Sequence, residues 1–404
     1  IFANHAAENN WLVDTNNYQY ISTQYAVNHT ENMTFKASVK PIKSLRIDLS
    51  ADRNLMENRT SNLGIGDNNS FALLNNQFNG SFSTSTISWK TAFSQDIMND
   101  TTLSNQIWEN LLSYRSEISS IMSQSNPNAS NNLENTGYYS GYDSTQQDVI
   151  IGAFICAYLG DSPTLNNINP LSQRIPLPNW RVTFDGLGKI KAFKKYIKKL
   201  SFTHAYRSNF SLGNYTTNLN GQWDNEGNAT ETDISGNFIS QKQIMTMNIL
   251  EQFAPLLGVD LTLSNNMSVK FEIKKDRNIS LSLSNNQITE IKGSEIKFGS
   301  GYTWRKLSLP IKIAGKTLDP SDLRMRLDIA VRDNKTIIRK IVENQNQYTA
   351  GQTAVTIQFS GDYNLTKQLM LRIYFDRRVN TPHVSNSFPT ANTNAGFALR
   401  FQLR

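Results

Sequence analysis

Two-residue alternation of apolar and polar side chains runs through this chain of 404 residues and constrains its fold more than any other feature. Near the end of the chain, one set of alternating positions holds Phe397, Leu399, Phe401 and Leu403. The other set holds Ala398, Arg400, Gln402 and Arg404. Segments with the same alternation are 45–50, 257–264, 267–274, 323–332, 355–360 and 369–376. Because successive side chains of a strand point to opposite faces of its sheet, this pattern predicts β-strands with one apolar face and one polar face.

The alternating segments number about fifteen and are about ten residues long, which is the length of a tilted strand that crosses a bilayer. Short polar turns are expected between them. Three charged tetrads of related composition are interpreted as such turns because Asp and Asn suit tight turns: 51–54 (ADRN), 275–278 (KDRN) and 331–334 (VRDN). Strands joined by short turns are antiparallel neighbours, so the chain is predicted to be an all-β antiparallel meander.

The composition excludes several classes of protein. Hydrophobic residues make up 38% and charged residues 18% of the chain, against typical values of about 45–50% and 25%. Asn, at about one residue in eight, fills much of the difference. The longest apolar run, 149–159, is shorter than the roughly 18 residues of a membrane-spanning helix. The formal charge of +7 is spread along the chain, so nucleic acid is not predicted as a partner.

Three segments depart from the alternation and are predicted to be short helices in long loops. Apolar residues at spacings of three and four indicate an amphipathic helix between 103 and 121. A second helix is predicted for 149–159, ended by Gly160, and a third for 191–200. The first two belong to a predicted helical and loop insertion over 95–178, within a single barrel domain that includes the whole of 1–404.

Full charges on the polar positions favour a transmembrane β-barrel over a soluble sandwich, because such charges cost little when they face a wet lumen. The predicted lumen-facing residues are Arg324, Arg326, Arg332, Arg372 and Arg400. The alternative is that these arginines pair with acids such as Asp328 and Asp376 on neighbouring strands. Aromatic residues near strand ends, including Tyr302 and Trp304, are typical of the girdles at a membrane interface.

No pattern of catalytic, cofactor-binding or metal-binding residues is found, so we predict neither an enzyme nor a cofactor. The four histidines have no metal-ligand spacing, and the one cysteine, Cys156, lies in an apolar run and is predicted to be buried. The densest basic cluster contains Lys194, Lys195, Lys198 and Lys199, interleaved with aromatic and aliphatic residues. It is predicted to contact a membrane surface or a partner, with a solvated turn as the alternative.

Several segments resemble the SprA/Sov family of outer-membrane proteins in the identity of their residues as well as in their alternating pattern. They are IPLPNWRVTFDGLGKIKAFKKYIKKLSFTHAYRSNFSLGNYTTN at 175–218, EQFAPLLGVDLTLSNN at 251–266, KKDRNISLSLSNN at 274–286, RDNKTIIRKI at 332–341 and FDRRVNTPHVSNSFPTANTNAGFALRFQLR at 375–404. The resemblance extends over nearly the whole chain. It implies the C-terminal portion of a longer protein, since members of this family are much larger.

The resemblance also implies a function. SprA/Sov proteins form a very large single-chain barrel in the outer membrane of Gram-negative bacteria, the translocon of the type IX secretion system, which also supports gliding motility. The implied partners are a PorV-like barrel, a plug protein and secreted cargo with a C-terminal signal. Two alternatives stay open: a self-contained porin-like barrel of about sixteen strands for small solutes, and a soluble surface adhesin. Residues 1–30 do not have the pattern of a strand that could close a small barrel against 394–404.

Overall fold

The structure, a computed structural model, describes residue 9 and residues 24–65, 71–99, 102–190, 193–224, 226–310, 312–313, 316–317, 319–366, 368–384 and 387–401. In these ranges the chain forms strands β1 (Gln24–Ile42), β2 (Leu45–Ile65), β3 (Phe71–Ser85), β4 (Ile97–Asn99), β5 (Thr102–Ser104), β6 (Asn179–Phe184), β7 (Ile197–Thr217), β8 (Lys242–Ile244), β9 (Thr246–Leu263), β10 (Ser268–Ser282), β11 (Gln287–Leu307), β12 (Lys312–Ile313), β13 (Lys316–Thr317), β14 (Ser321–Lys340), β15 (Gln345–Asn364), β16 (Leu369–Pro382) and β17 (Thr390–Phe401). The two α-helices of this part of the chain are α1 (Gln106–Ser125) and α2 (Gln147–Leu159).

One sheet of 13 strands dominates the fold, and eleven of them follow the order β1-β2-β3-β7-β9-β10-β11-β14-β15-β16-β17. The other two are β6, which pairs with β2 and β7, and β8, which pairs with β7. All of its pairings are antiparallel. The predicted all-β class and antiparallel meander are therefore confirmed. Across the strands that the structure describes, β1 and β17 form the two edges of this sheet.

A single position in the sheet is shared by two strands, β3 and β6. Both pair with β2 on one side and β7 on the other, and β6 continues in the direction of β3. The chain leaves the sheet after Ser85 and returns at Asn179, and the backbone N–H of Leu177 donates to the carbonyl of Ser85 at 3.0 Å. The excursion at 86–178 includes the predicted insertion at 95–178.

The strands are longer than predicted, and the three charged tetrads are not turns. Residues 51–54 lie inside β2, 275–278 inside β10 and 331–334 inside β14. Each of these strands continues on the far side of its tetrad, so that β2 has 21 residues and β14 has 20. The prediction of turns was wrong because the change in polarity occurs across one face of a continuous strand, while the backbone stays paired with its neighbours.

The first two predicted helices are confirmed. Asn105 caps α1, because its side chain accepts a hydrogen bond from the backbone N–H of Trp108 at 2.8 Å. Gln146 caps α2, and Gly160 ends it in the left-handed conformation at φ 78°. Every residue from Val149 to Tyr158 is buried, since α2 packs between α1 and the sheet. The sheet supplies to this core Phe82, Phe210, Leu212, Met247, Ile249, Ile279, Leu281 and Ile288.

The third predicted helix is wrong where the structure describes it. Residues 193–196 form hydrogen-bonded turns, and β7 begins at Ile197. Residues 191–192 lie outside the described residues. At the start of the chain, β1 includes residues 24–30, for which we did not predict a strand. The rest of 1–30, apart from residue 9, is also outside the described residues.

Candidate functional site

The register of the strands divides the large sheet into two chemically different faces. Residues that pair across strands share a face, and one row consists of Ile273, Ile296, Val331, Val355 and Val379, on five neighbouring strands. The adjacent row on the opposite face consists of Lys274, Glu295, Arg332, Ala354 and Asn380. We call the first the apolar face and the second the polar face.

The apolar face carries a band of hydrophobic side chains towards one end of the strands, interrupted on β16 by the exposed Arg377, which is opposite Ile357. In β14 this band extends from Leu323 to Val331, about nine residues, and in β15 it extends from Val355 to Tyr363. Many of its side chains are exposed: Phe35, Val39, Leu257, Ile296, Trp304, Val331, Ile373, Phe397, Leu399 and Phe401. Exposed apolar surface on this scale is unusual for a soluble monomer.

The helices pack on the apolar face as well, at the other end of the strands. A strip of polar side chains separates the helices from the band, and Arg53, Lys275 and Asp333 belong to this strip. These three residues come from the charged tetrads of β2, β10 and β14. The tetrads therefore mark where the exposed band ends.

The polar face is mostly hydrophilic and carries charges of both signs. Ion pairs link Lys270 to Glu272 at 3.0 Å and Lys274 to Glu295 at 3.5 Å. Most of these side chains are at least partly accessible to water, so each pair contributes at most about 1 kcal/mol. The large hydrophobic residues exposed on this face are few, among them Met56, Leu250 and Ile291.

The five arginines predicted to face a lumen all lie on the polar face. Arg324 and Arg372 flank Asp362 on the strand between them, and the Arg372 Nε atom is 3.6 Å from an Asp362 oxygen. Arg326 pairs with Asp328 of its own strand at 2.5 Å, and Arg332 pairs with Asp276 at 3.5 Å. Arg400 is opposite Met370 on the neighbouring strand. Pairing with acids, the alternative prediction, is observed for Arg326, Arg332 and Arg372, and their contact with a lumen stays a prediction.

The four lysines of the basic cluster are exposed at the end of the sheet where the apolar band lies. Lys194 and Lys195 are in the turn before β7, and Lys198 and Lys199 are in its first residues. Lys195 Nζ lies 5.6 Å from the centre of the Tyr196 ring, and Lys198 donates to the side chain of Asn266.

A buried ionic cluster, which the sequence analysis did not predict, attaches the insertion to the apolar face. Arg339 on β14 binds Glu290 on β11 at 2.9 Å and Asp96 of the insertion at 2.6 Å. Lys292 contacts Asp96 at 2.7 Å and Glu290 at 3.0 Å. Tyr158 of α2 donates a hydrogen bond to Glu290. Burial raises the pKa of the Tyr158 phenol well above its ordinary value, so the phenol stays protonated as a donor.

A second buried cluster fixes the point where the insertion leaves the sheet. Arg277 pairs with Glu251 at 2.9 Å and donates to the carbonyl of Thr91 at 3.0 Å. Glu251 also accepts from the hydroxyls of Ser88 and Tyr206. The signal in the sequence was the charged residue Arg277 at a position of the apolar set, which we attributed to a turn over 275–278.

No helix in the described ranges is long and apolar enough to cross a membrane. Those ranges also contain no group of three or more histidine, cysteine or acidic residues that could hold a metal ion.

Comparison with models of known protein families and with curated proteins gives no match. Among solved structures, the chain is similar to OmpT, an outer membrane protein of Vibrio cholerae, folded in vitro and in its trimer form. The alignment includes 94% of this chain and 98% of that chain, with 9% identity and a TM-score of 0.21. A TM-score this low does not establish a shared fold.

Proposed function

We propose that this chain forms an arc of the wall of a very large β-barrel in the outer membrane of a Gram-negative bacterium. The barrel conducts folded proteins as the translocon of a type IX secretion system and supports gliding motility. In this arrangement lipid contacts the apolar band and the lumen is lined by the polar face. The partners are a PorV-like barrel, a plug protein and cargo with a C-terminal signal.

The observation that carries this proposal is the combination of an exposed apolar band with an opposite face on which polar and charged side chains predominate. The band in β14 is about nine residues tall, which matches the 9–11 residues that a tilted strand needs to cross a bilayer. Outer-membrane strands alternate in this way, with apolar side chains towards lipid and polar side chains towards the lumen. A soluble sandwich would instead bury its apolar face against a second sheet.

The polar face also suits the passage of protein. Several of its charges pair with one another along the wall, as Lys274 does with Glu295. A lining of this kind offers a moving polypeptide few apolar contacts. The assignment to type IX secretion rests on the resemblance of the sequence to the SprA/Sov family. The proposal includes no catalytic step.

The edges of the sheet favour a large barrel over the alternative of a small porin. A barrel closed by these strands alone requires β1 to pair with β17, and in the described residues each of them pairs with one neighbour only. An open edge in a membrane leaves backbone groups without partners, at a cost of several kcal/mol for each. Further strands therefore complete the barrel in the proposed assembly.

A matched pair of substitutions on adjacent residues tests which face contacts lipid. Ile329 is in the middle of the band on β14, and Ala330 is next to it on the polar face. Arginine at a lipid-facing position near the bilayer midplane costs about 2–4 kcal/mol, whereas lumen positions tolerate it. We expect Ile329→Arg to reduce the folded fraction in vesicles strongly and Ala330→Arg to leave it unchanged. Equal effects of the two variants would contradict the proposed orientation.

Two measurements on cells test the function. The first is the mass of the intact polypeptide extracted from outer membranes with detergent, identified by peptide mapping. We expect a species far heavier than 45.7 kDa, whereas a species near that mass would favour the small porin. The second is secretion after deletion of the gene. Cargo with a C-terminal signal should be retained in the cell, and unchanged secretion would refute the translocon assignment.

A further inference from the structure

We infer that residues 88–98, here called the boundary segment, form a membrane-surface anchor that lies against the lipid headgroups beside the barrel wall. This inference rests on the proposed function, because it takes the apolar band to be the lipid-facing surface. It assigns a lipid-binding role to a piece of the insertion that contains no membrane-spanning strand.

The boundary segment runs crosswise over the strands of the apolar face. At its start, Ser88 contacts Tyr206 on β7 and Glu251 on β9. Phe93 then packs against Phe253 of β9, with 5.4 Å between the ring centres. Further along, Lys275 of β10 lies over the Phe93 ring at 4.4 Å, and Asp96 reaches Lys292 of β11 and Arg339 of β14.

This course follows the polar strip that ends the apolar band. The register places Tyr206, Phe253 and Lys275 in one cross-strand row. The next row on the band side of β10 contains Ile273 and Ile296, and Ile296 is exposed. In the proposed orientation the boundary segment therefore lies where hydrocarbon gives way to headgroups.

In the boundary segment the large apolar side chains are exposed, whereas the charged side chains form ion pairs with other parts of the protein. Its exposed large hydrophobic residues are Trp89 (52% exposed), Phe93 (51%), Ile97 (60%) and Met98 (65%). Its two charged residues are bound by the protein: Lys90 pairs with Asp161 at 3.1 Å, and Asp96 pairs with Arg339 at 2.6 Å. Exposed apolar side chains next to an exposed basic residue, here Lys90, are the arrangement expected of a segment that lies in a membrane interface.

Aromatic side chains join the boundary segment to the band. Trp89 packs edge-on against Trp180 at 5.7 Å, and Trp180 stacks on Tyr206 at 4.5 Å. Tryptophan and tyrosine are enriched where a protein surface passes from hydrocarbon to headgroups. The exposed hydrophobic residues of the segment thus continue the lipid-facing surface, which identifies the bilayer as their partner.

Fluorescent probes at single introduced cysteines test this inference in the complete protein, reconstituted into phosphatidylcholine vesicles. The lipids carry bromine near the headgroup end of their acyl chains, and bromine quenches nearby probes. The anchor positions are Met98→Cys and Trp89→Cys. Ile296→Cys in the band is the positive control, and Ile234→Cys, fully exposed in the long loop between β7 and β8, is the negative control. Cys156 is buried and should not react.

We expect probes at Met98 and Trp89 to lose fluorescence in brominated lipid as strongly as the probe at Ile296, and the probe at Ile234 to lose none. If Ile296 is quenched while both anchor positions behave like Ile234, the anchor is refuted and the proposed barrel stands. Anchor probes shielded from both bromine and aqueous iodide would also refute it, because a protein would then cover the segment. If Ile296 itself is not quenched, the proposed orientation fails and the anchor with it.

Discussion

Glu290→Ala is expected to weaken the attachment of the insertion to the sheet by about 3–5 kcal/mol, the usual cost of removing one partner from a buried ion pair. The Glu290 side chain is 1% exposed, and its partner Arg339 is fully buried. Together with Asp96 and Lys292 these groups form a cluster with two positive and two negative charges. Removal of Glu290 leaves one buried positive charge in excess.

The insertion provides the burial, so the cost can be relieved by undocking. When α2 leaves the apolar face, water reaches Arg339 and the uncompensated charge is solvated. A change of 3–5 kcal/mol corresponds to an increase of roughly two to three and a half powers of ten in the undocked population. Glu290→Gln keeps the shape of the side chain and should fall between the wild type and the alanine variant, because the amide can still accept from Tyr158.

Native-state hydrogen exchange of the α2 backbone is the appropriate assay, because opening of this helix requires undocking. The control is Glu295→Ala, which removes the same kind of side chain from the polar face of the same strand, β11. Glu295 pairs with Lys274 at 3.5 Å near solvent, and its loss should cost at most about 1 kcal/mol. Unchanged protection of α2 in Glu290→Ala would refute the conclusion that the cluster holds the insertion.

Two further predictions concern α2. Burial raises the pKa of the Cys156 thiol to about 12, so a maleimide should label the folded protein no faster at about pH 9 than at about pH 7, whereas an unfolded thiol with a pKa near 8.5 should react much faster at the higher pH. Gly160→Ala should reduce the exchange protection of the last turn of α2 by about 1–2 kcal/mol, because alanine is disfavoured at φ 78° and its Cβ would lie 3.0 Å from Lys90. Gly137→Ala has a similar φ with no atom within 4 Å of the new Cβ, and it separates the backbone cost from the steric one.

The alternation of side chains was sufficient to predict the antiparallel sheet and the contents of its faces. Pairs such as Leu327 with Asp328 fall on opposite faces because the backbone geometry of a strand permits nothing else. The five arginines were assigned to one face by the same argument. This part of the prediction needed only local information.

Strand length could not be obtained in the same way. Hydrophobicity falls at Arg53, Arg277 and Asp333, and a local pattern does not distinguish a turn from a strand whose environment changes. Arg277 stays in β10 because Glu251 on the neighbouring strand and the backbone of the boundary segment satisfy its guanidinium. Those partners are 26 and 186 residues away along the chain.

The buried clusters were missed for a related reason. Glu290 and Arg339 looked like ordinary polar positions because each has charged or polar neighbours in sequence. Their burial depends on α2, which joins the apolar face only after β3 and β6 have been brought together as one position of the sheet. A contact between Tyr158 and Glu290 spans 132 residues, and no periodicity predicts it.

The position of the insertion follows from the division of the apolar face into an exposed band and a part that the helices cover. In the proposed arrangement the band contacts lipid along about nine residues of a strand, whereas the strands extend for up to 21, so their remaining apolar residues need a protein cover. Helix α2, which is buried on all sides, supplies that cover over Ile249, Ile279 and Ile288. The break between β3 and β6 lies at the level of the polar strip, which lets residues 86–178 leave the wall where the proposed bilayer ends. The boundary segment is then the first part of the chain outside the wall at this level. Its exposed Trp89 and Phe93 contact the surface of the proposed bilayer.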